Sequence, residues 1–201
     1  MTLGATAFDA ILGAGLLATG LYTRTAWYAA NAVYYLCLTL VRGYLLEGLI
    51  AAKQPAYRGE TRTRQRAGVL LAATGIAYFA VSVALHLAGR PATYTGLAPY
   101  GVAFVAFANA GLAIAGTVSV RGSGSPIRAA LRITSLCDAL VSMSVTQYAL
   151  MSMTADPEAA TSSATVGMGF ATIVAVCGLV MALKKPTTKK PPEAAPKERN
   201  L

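Results

Sequence analysis

Few side chains in this chain of 201 residues could do chemistry, and those few stand inside long apolar runs. Asp138 is foremost among them, within the stretch Gly124 to Met153 that opens on a Ser-Pro turn and the basic approach of Arg128 and Arg132. An apolar run of that length reads as a membrane helix, and an acid within it is a functional-site hypothesis by default. A bare charge near mid-bilayer costs about 2.5–3.5 kcal/mol on insertion scales, so Asp138 needs a partner. Arg42 lies in an earlier apolar run at broadly similar depth, which makes an Arg42–Asp138 ion pair the expected contact, with the Tyr34 hydroxyl as the alternative donor. Such a pair serves either as a structural tie between helices or as a proton- or substrate-coupling carboxylate in a water-lined cavity.

The other polar residues carry milder expectations. Glu47 is expected to face a basic rim and pair with Arg128 or Arg132, and Asp9, near the end of the first run, to be solvated by headgroups. Asn109 is expected to hydrogen-bond across helices. His86 is the single histidine and lacks convergent donors for a metal. Cys37, Cys137 and Cys177 have no paired spacing, which leaves them as small buried hydrophobes rather than a disulfide framework or zinc site. Met143, Met151, Met153, Met168 and Met181 read as packing. The Gly-x-Gly of RGSGSP lacks the strand and the Lys-Ser/Thr of a phosphate loop. No Ser-His-Asp, Cys-His or paired-carboxylate set converges, so neither an enzyme nor a cofactor is expected.

The elements that position these residues follow from composition. The chain is 55% hydrophobic and 12% charged, its mean hydropathy is +0.54, and soluble domains carry about 25% charged residues. The apolar blocks predict an all-α membrane protein of six spans, at 4–22, 27–52, 67–87, 97–120, 130–153 and 163–183. Gly13, Gly15, Ala18 and Gly20 offer close helix contact in the first span, and Gly111 and Ala115 in the fourth. Tyr22, Trp27 and Tyr28 are expected as interfacial aromatics around a tight outer turn. The start of the chain has no positive region or cleavage site of a signal peptide, so the first span is expected to be retained. Residues 184–201, rich in Pro and Lys, are expected to be a disordered tail.

Charge placement gives the orientation. The formal net charge is +9; of 17 Lys and Arg, five lie in 53–66, three in 121–132 and six in 184–199. All of these fall on one side once the spans are drawn, whereas Arg24 and Arg90 fall on the other. This is a positive-inside pattern. It places both termini in the cytoplasm, points to a plasma or inner membrane, and assigns the basicity to anionic headgroups rather than nucleic acid.

The segment SPIRAALRITSLCDALVSM resembles the fifth-span entry of the cation diffusion facilitator (cation efflux) transporters, a Ser-Pro turn and polar approach followed by His-x-x-x-Asp. Gly20 and the 27–38 region are placed like that family's first and second spans, and the likeness covers the membrane part, about residues 7–183. The resemblance implies a cation-efflux-like bundle with a metal site between the second and fifth spans. In this chain Asp138 stands at the fifth-span Asp and Thr134 at its His, while Asn31, Tyr34 and Leu38 stand at the second-span ligands. One ligand is thus retained, and a tetrahedral zinc site needs three or four donors. Cys137 points about 100° away from Asp138 around the helix. The family's cytoplasmic C-terminal domain has no counterpart in this sequence. The expected protein is a divergent member without a metal site, transport-like or a membrane accessory. The alternative is an active cation- or proton-coupled transporter using Asp138, Arg42 and Tyr34. A homodimer or a membrane partner fits either.

Overall fold

The computed structural model describes residues 2–24, 26–54, 59–88, 98–119, 125–151 and 157–184. Six helices account for nearly all of them: α1 (Thr2–Thr23), α2 (Ala26–Ala51), α3 (Glu60–Ala88), α4 (Ala98–Ser119), α5 (Pro126–Met151) and α6 (Pro157–Leu183). Five are long and apolar enough to cross a membrane, and α4 adds the shorter apolar stretch Ala103–Leu112. Several such helices make this an all-α bundle of multi-pass membrane build. The expected tail after Lys184, the turn at 121–124 and the links holding Arg90 and Asp156 lie outside the described residues.

Local chemistry sets the helix ends. Pro126 and Pro157 occupy first helical positions, where a missing N–H costs nothing. Arg24 ends α1 with a positive φ of 53°, the left-handed residue that often follows a helix. The third helix starts at Glu60, earlier than the apolar run at 67 implied. Glu60 suits the positive end of the helix dipole and accepts a 2.8 Å bond from Ser125 Oγ. Arg64 donates to the Lys184 carbonyl and so satisfies the last turn of α6. The basic segment before the third span is therefore partly helix, not loop.

Packing runs through α5, more than half of whose residues are buried. It touches α2, α3, α4 and α6, while α1 lies against α2. Gly13 and Gly20 let α1 approach α2: a Cβ at Gly20 would stand 2.9 Å from Ala29 N, and one at Gly13 3.1 Å from Leu36 Cγ. The closest pair is α3 with α6. A Cβ at Gly75 would lie 2.5 Å from Ala175 N and one at Gly68 2.6 Å from Ala182 N, while Gly178 presses on Ala72. The small-residue expectation for α4 fails, because Gly111 and Ala115 are exposed and the buried face carries Ala103, Ala106, Asn109 and Ala110 instead. Trp27 and Tyr28 stand at the start of α2, beside the link from α1, as expected, but they pack inward rather than outward. Trp27 is buried and stacks on Tyr148 with centroids 4.1 Å apart, Tyr28 is buried, and only Tyr22 is exposed.

Candidate functional site

Four helices bring their buried polar residues to one place. On α5, Asp138 and Ser142 are one turn apart and share a face, because i and i+4 positions stack. On α2, Arg42 and Tyr35 are two turns apart on the face turned toward α5. The close approach of α1 to α2 through Gly13 and Gly20 then carries Asp9 to Arg42. Asn109 arrives from the buried face of α4.

The guanidinium of Arg42 forks between two carboxylates from different helices. Nη1 donates to Asp9 Oδ2, and Nη2 donates to Asp138 Oδ2 at 2.7 Å. Asn109 Nδ2 donates to Asp138 Oδ1 at 2.8 Å and lies 2.9 Å from Ser142 Oγ, which is 3.1 Å from the Tyr35 hydroxyl. Asp138 is thereby satisfied on both oxygens. Asp9 is not: its Oδ1 is buried with no hydrogen-bond partner among the described residues. Asp9, Arg42 and Asp138 are 0%, 1% and 0% exposed. Two carboxylates and one guanidinium, when all are ionised, leave one negative charge without a counter-charge. Desolvating such a charge is costly, and the site therefore calls for a proton or a small cation.

The other expected residues fall in different places. Tyr34 reaches α5 but donates to the Cys137 carbonyl at 3.3 Å rather than to Asp138, since its position on α2 differs from that of Tyr35 by about 100°. Asn31 donates to the Trp27 carbonyl at 2.9 Å and accepts from the Tyr78 hydroxyl at 3.1 Å, some three turns from Arg42. Thr134 is buried and donates to the Ala130 carbonyl at 3.0 Å within its own helix. Asn109 bonds across helices and joins the cluster itself. Glu47 is exposed and makes no ion pair with Arg128 or Arg132 among the described residues; Arg128 is exposed, and Arg132 is half-buried with Nε and Nη2 lacking partners among them. His86, half-buried near the end of α3, stands apart from the cluster. Cys37, Cys137 and Cys177 are free thiols. No three of His, Cys, Asp and Glu come together to hold a metal among the described residues.

Asp9 was expected in the headgroups, yet it is wholly buried against Arg42. The available signal was helical pairing: antiparallel first and second helices joined by the link at Arg24 and Thr25 place Asp9 level with Arg42. Tyr35 and Ser142, also missed, carry an ordinary hydroxyl each and give no signal of their own in the sequence. The chain matches no family model, no curated protein and no solved structure.

Proposed function

We propose that the protein is a multi-pass membrane transporter coupled to protons or a small cation, with Asp9, Arg42, Asn109 and Asp138 as its coupling site. The observation that carries this reading is the excess negative charge of a buried Asp9–Arg42–Asp138 cluster with one carboxylate oxygen left unbonded. A group that only ties helices together needs charge balance and full hydrogen bonding. This cluster has neither until a positive charge joins it. Binding and releasing that charge is the elementary step of ion coupling, and intramembrane carboxylates are the usual carriers.

In this reading the chain is a divergent cation-efflux-like domain that keeps Asp138 at the fifth-span Asp position, with Asn31, Tyr34, Leu38 and Thr134 in place of the other metal ligands. Six spans, cytoplasmic termini facing anionic headgroups and residence in a plasma or inner membrane complete the reading, and a homodimer or a membrane partner is compatible with it. A second reading, a membrane accessory whose cluster is purely structural, draws on Asp138 itself, both of whose oxygens are already bonded.

Proteoliposomes under a pH gradient distinguish the two. Sodium, potassium, zinc and manganese are offered in turn to wild type, Asp9→Asn and Asp138→Asn. The expected result is cation-dependent dissipation of the gradient by wild type and its loss in both variants, with helix content retained. No flux by wild type with any cation, together with reduced heat stability of the variants in detergent, would leave the cluster as a tie.

A further inference from the structure

The helices come in two matching sets of three. Those of the first half hold 22, 26 and 29 residues and those of the second 22, 26 and 27. Neighbours match as well: α1 lies on α2 as α4 lies on α5, α2 touches α3 as α5 touches α6, and α3 pairs with α6. The sequence carries the same correspondence at one fixed offset. Leu36, Cys37, Leu40 and Val41 recur one hundred positions on as Leu136, Cys137, Leu140 and Val141. At that offset Asp9 corresponds to Asn109 and Arg42 to Ser142, and both pairs are hydrogen-bonded, Asp9 with Arg42 and Asn109 with Ser142. Along the α3–α6 contact Gly75 meets Ala175, and these two also correspond.

The halves run in opposite directions. Gly13 faces Leu36 and Gly20 faces Ala29, so α1 is antiparallel to α2. Trp27 meets Tyr148 and Arg42 meets Asp138, so α2 is antiparallel to α5. The short connection from Ser119 to Pro126 turns α4 back along α5, which leaves α4 opposite to α1. Inverted repeats of this kind place coupling sites at the interface between halves, and here Asp9 and Arg42 come from one half and Asn109 and Asp138 from the other. The halves differ in one respect: α3 packs on α5, but α6 does not touch α2 among the described residues.

We propose that α1–α3 and α4–α6 are inverted repeats that exchange conformations, so that the charge cluster between them opens to one side of the membrane with α3 on α5 and to the other with α6 on α2. The exchange itself stands on the repeat geometry; its purpose rests on the transport reading above.

Disulfide trapping of the full-length chain in liposomes tests it, in a background where Cys37, Cys137 and Cys177 are replaced by Ser. Ser82 and Ser144 both lie near the same point of Gly167, at 3.5 and 3.6 Å from a Cβ built there, so Ser82→Cys with Ser144→Cys reports the α3–α5 contact. The corresponding pair is Ala182→Cys with Tyr44→Cys, on α6 and α2. Leu40→Cys, one turn away on the same face of α2 and exposed, replaces Tyr44→Cys should the tyrosine prove necessary for folding. Both pairs are expected to cross-link, each in a separate fraction of molecules. Cross-linking of Ser82→Cys/Ser144→Cys alone, even after prolonged oxidation, would overturn the exchange. Flux without the second cross-link would sink the exchange and keep the transport reading; both cross-links without flux would do the reverse.

Discussion

Removing Arg42 should cost far more than removing either of the carboxylates it bridges. Arg42→Met leaves Asp9 and Asp138 facing each other, wholly buried, with no counter-charge. Breaking a buried ion pair from one side typically costs about 3–5 kcal/mol. In Asp138→Asn the Asp9–Arg42 pair survives in charge balance and the amide keeps the shape of the acid, so the loss is that of charge-assisted bonds, about 1.5–3 kcal/mol. Asp9→Asn should cost less again, because Asp9 gives only one of its oxygens to a partner. The combination Asp9→Asn, Arg42→Met and Asp138→Asn removes every charge and should recover most of the loss, since neutral replacement of a buried ionic group is often tolerated. Denaturation by SDS from mixed micelles measures the series, with the single tryptophan, Trp27, as the fluorophore. An Arg42→Met protein as stable as either carboxylate variant would refute the reasoning, and so would a triple variant no better than Arg42→Met alone.

Gly75→Val places a side chain where a Cβ already lies 2.5 Å from the Ala175 backbone, and overpacking of that kind costs ~1–3 kcal/mol, whereas Gly15→Ala enters open space and should be close to neutral. Thermal melts in detergent separate the two, and equal effects would refute the α3–α6 contact. Tyr148→Ala removes the ring stacked on Trp27 and should destabilise by about 3 kcal/mol while shifting tryptophan emission to the red. Unchanged emission would place Trp27 elsewhere.

The long apolar helices were legible because runs of that length leave little ambiguity, and Arg42 and Asp138 because a charge inside such a run stands out at once. Asp9 was not legible from its own position. Counted from the chain start it looks shallow; its depth comes from the antiparallel register with α2 that Gly13 and Gly20 permit. Tyr34 and Tyr35 look alike in the sequence but diverge by about 100° on the helix, and only the rotation of α2 against α5 decides that Tyr35, not Tyr34, meets the cluster. The helix of α3 runs seven residues ahead of its apolar run, because Arg62, Arg64 and Arg66 break the hydropathy signal without breaking the helix. The internal repeat hides for a similar reason. Most corresponding positions differ in identity, so the match shows mainly in helix order, in neighbours and in the Leu-Cys and Leu-Val pairs of α2 and α5.

The claim beneath the functional reading is that the Asp9–Arg42–Asp138 cluster holds one exchangeable positive charge. Infrared spectroscopy of the purified protein, in buffer free of small metal cations, reads this directly through the carbonyl stretch of a protonated carboxylic acid, which shifts in heavy water. The account predicts such a band in wild type, its loss in Asp9→Asn or Asp138→Asn, and its weakening when the transported cation is added. A spectrum without that band, or one whose band survives both substitutions, would contradict it.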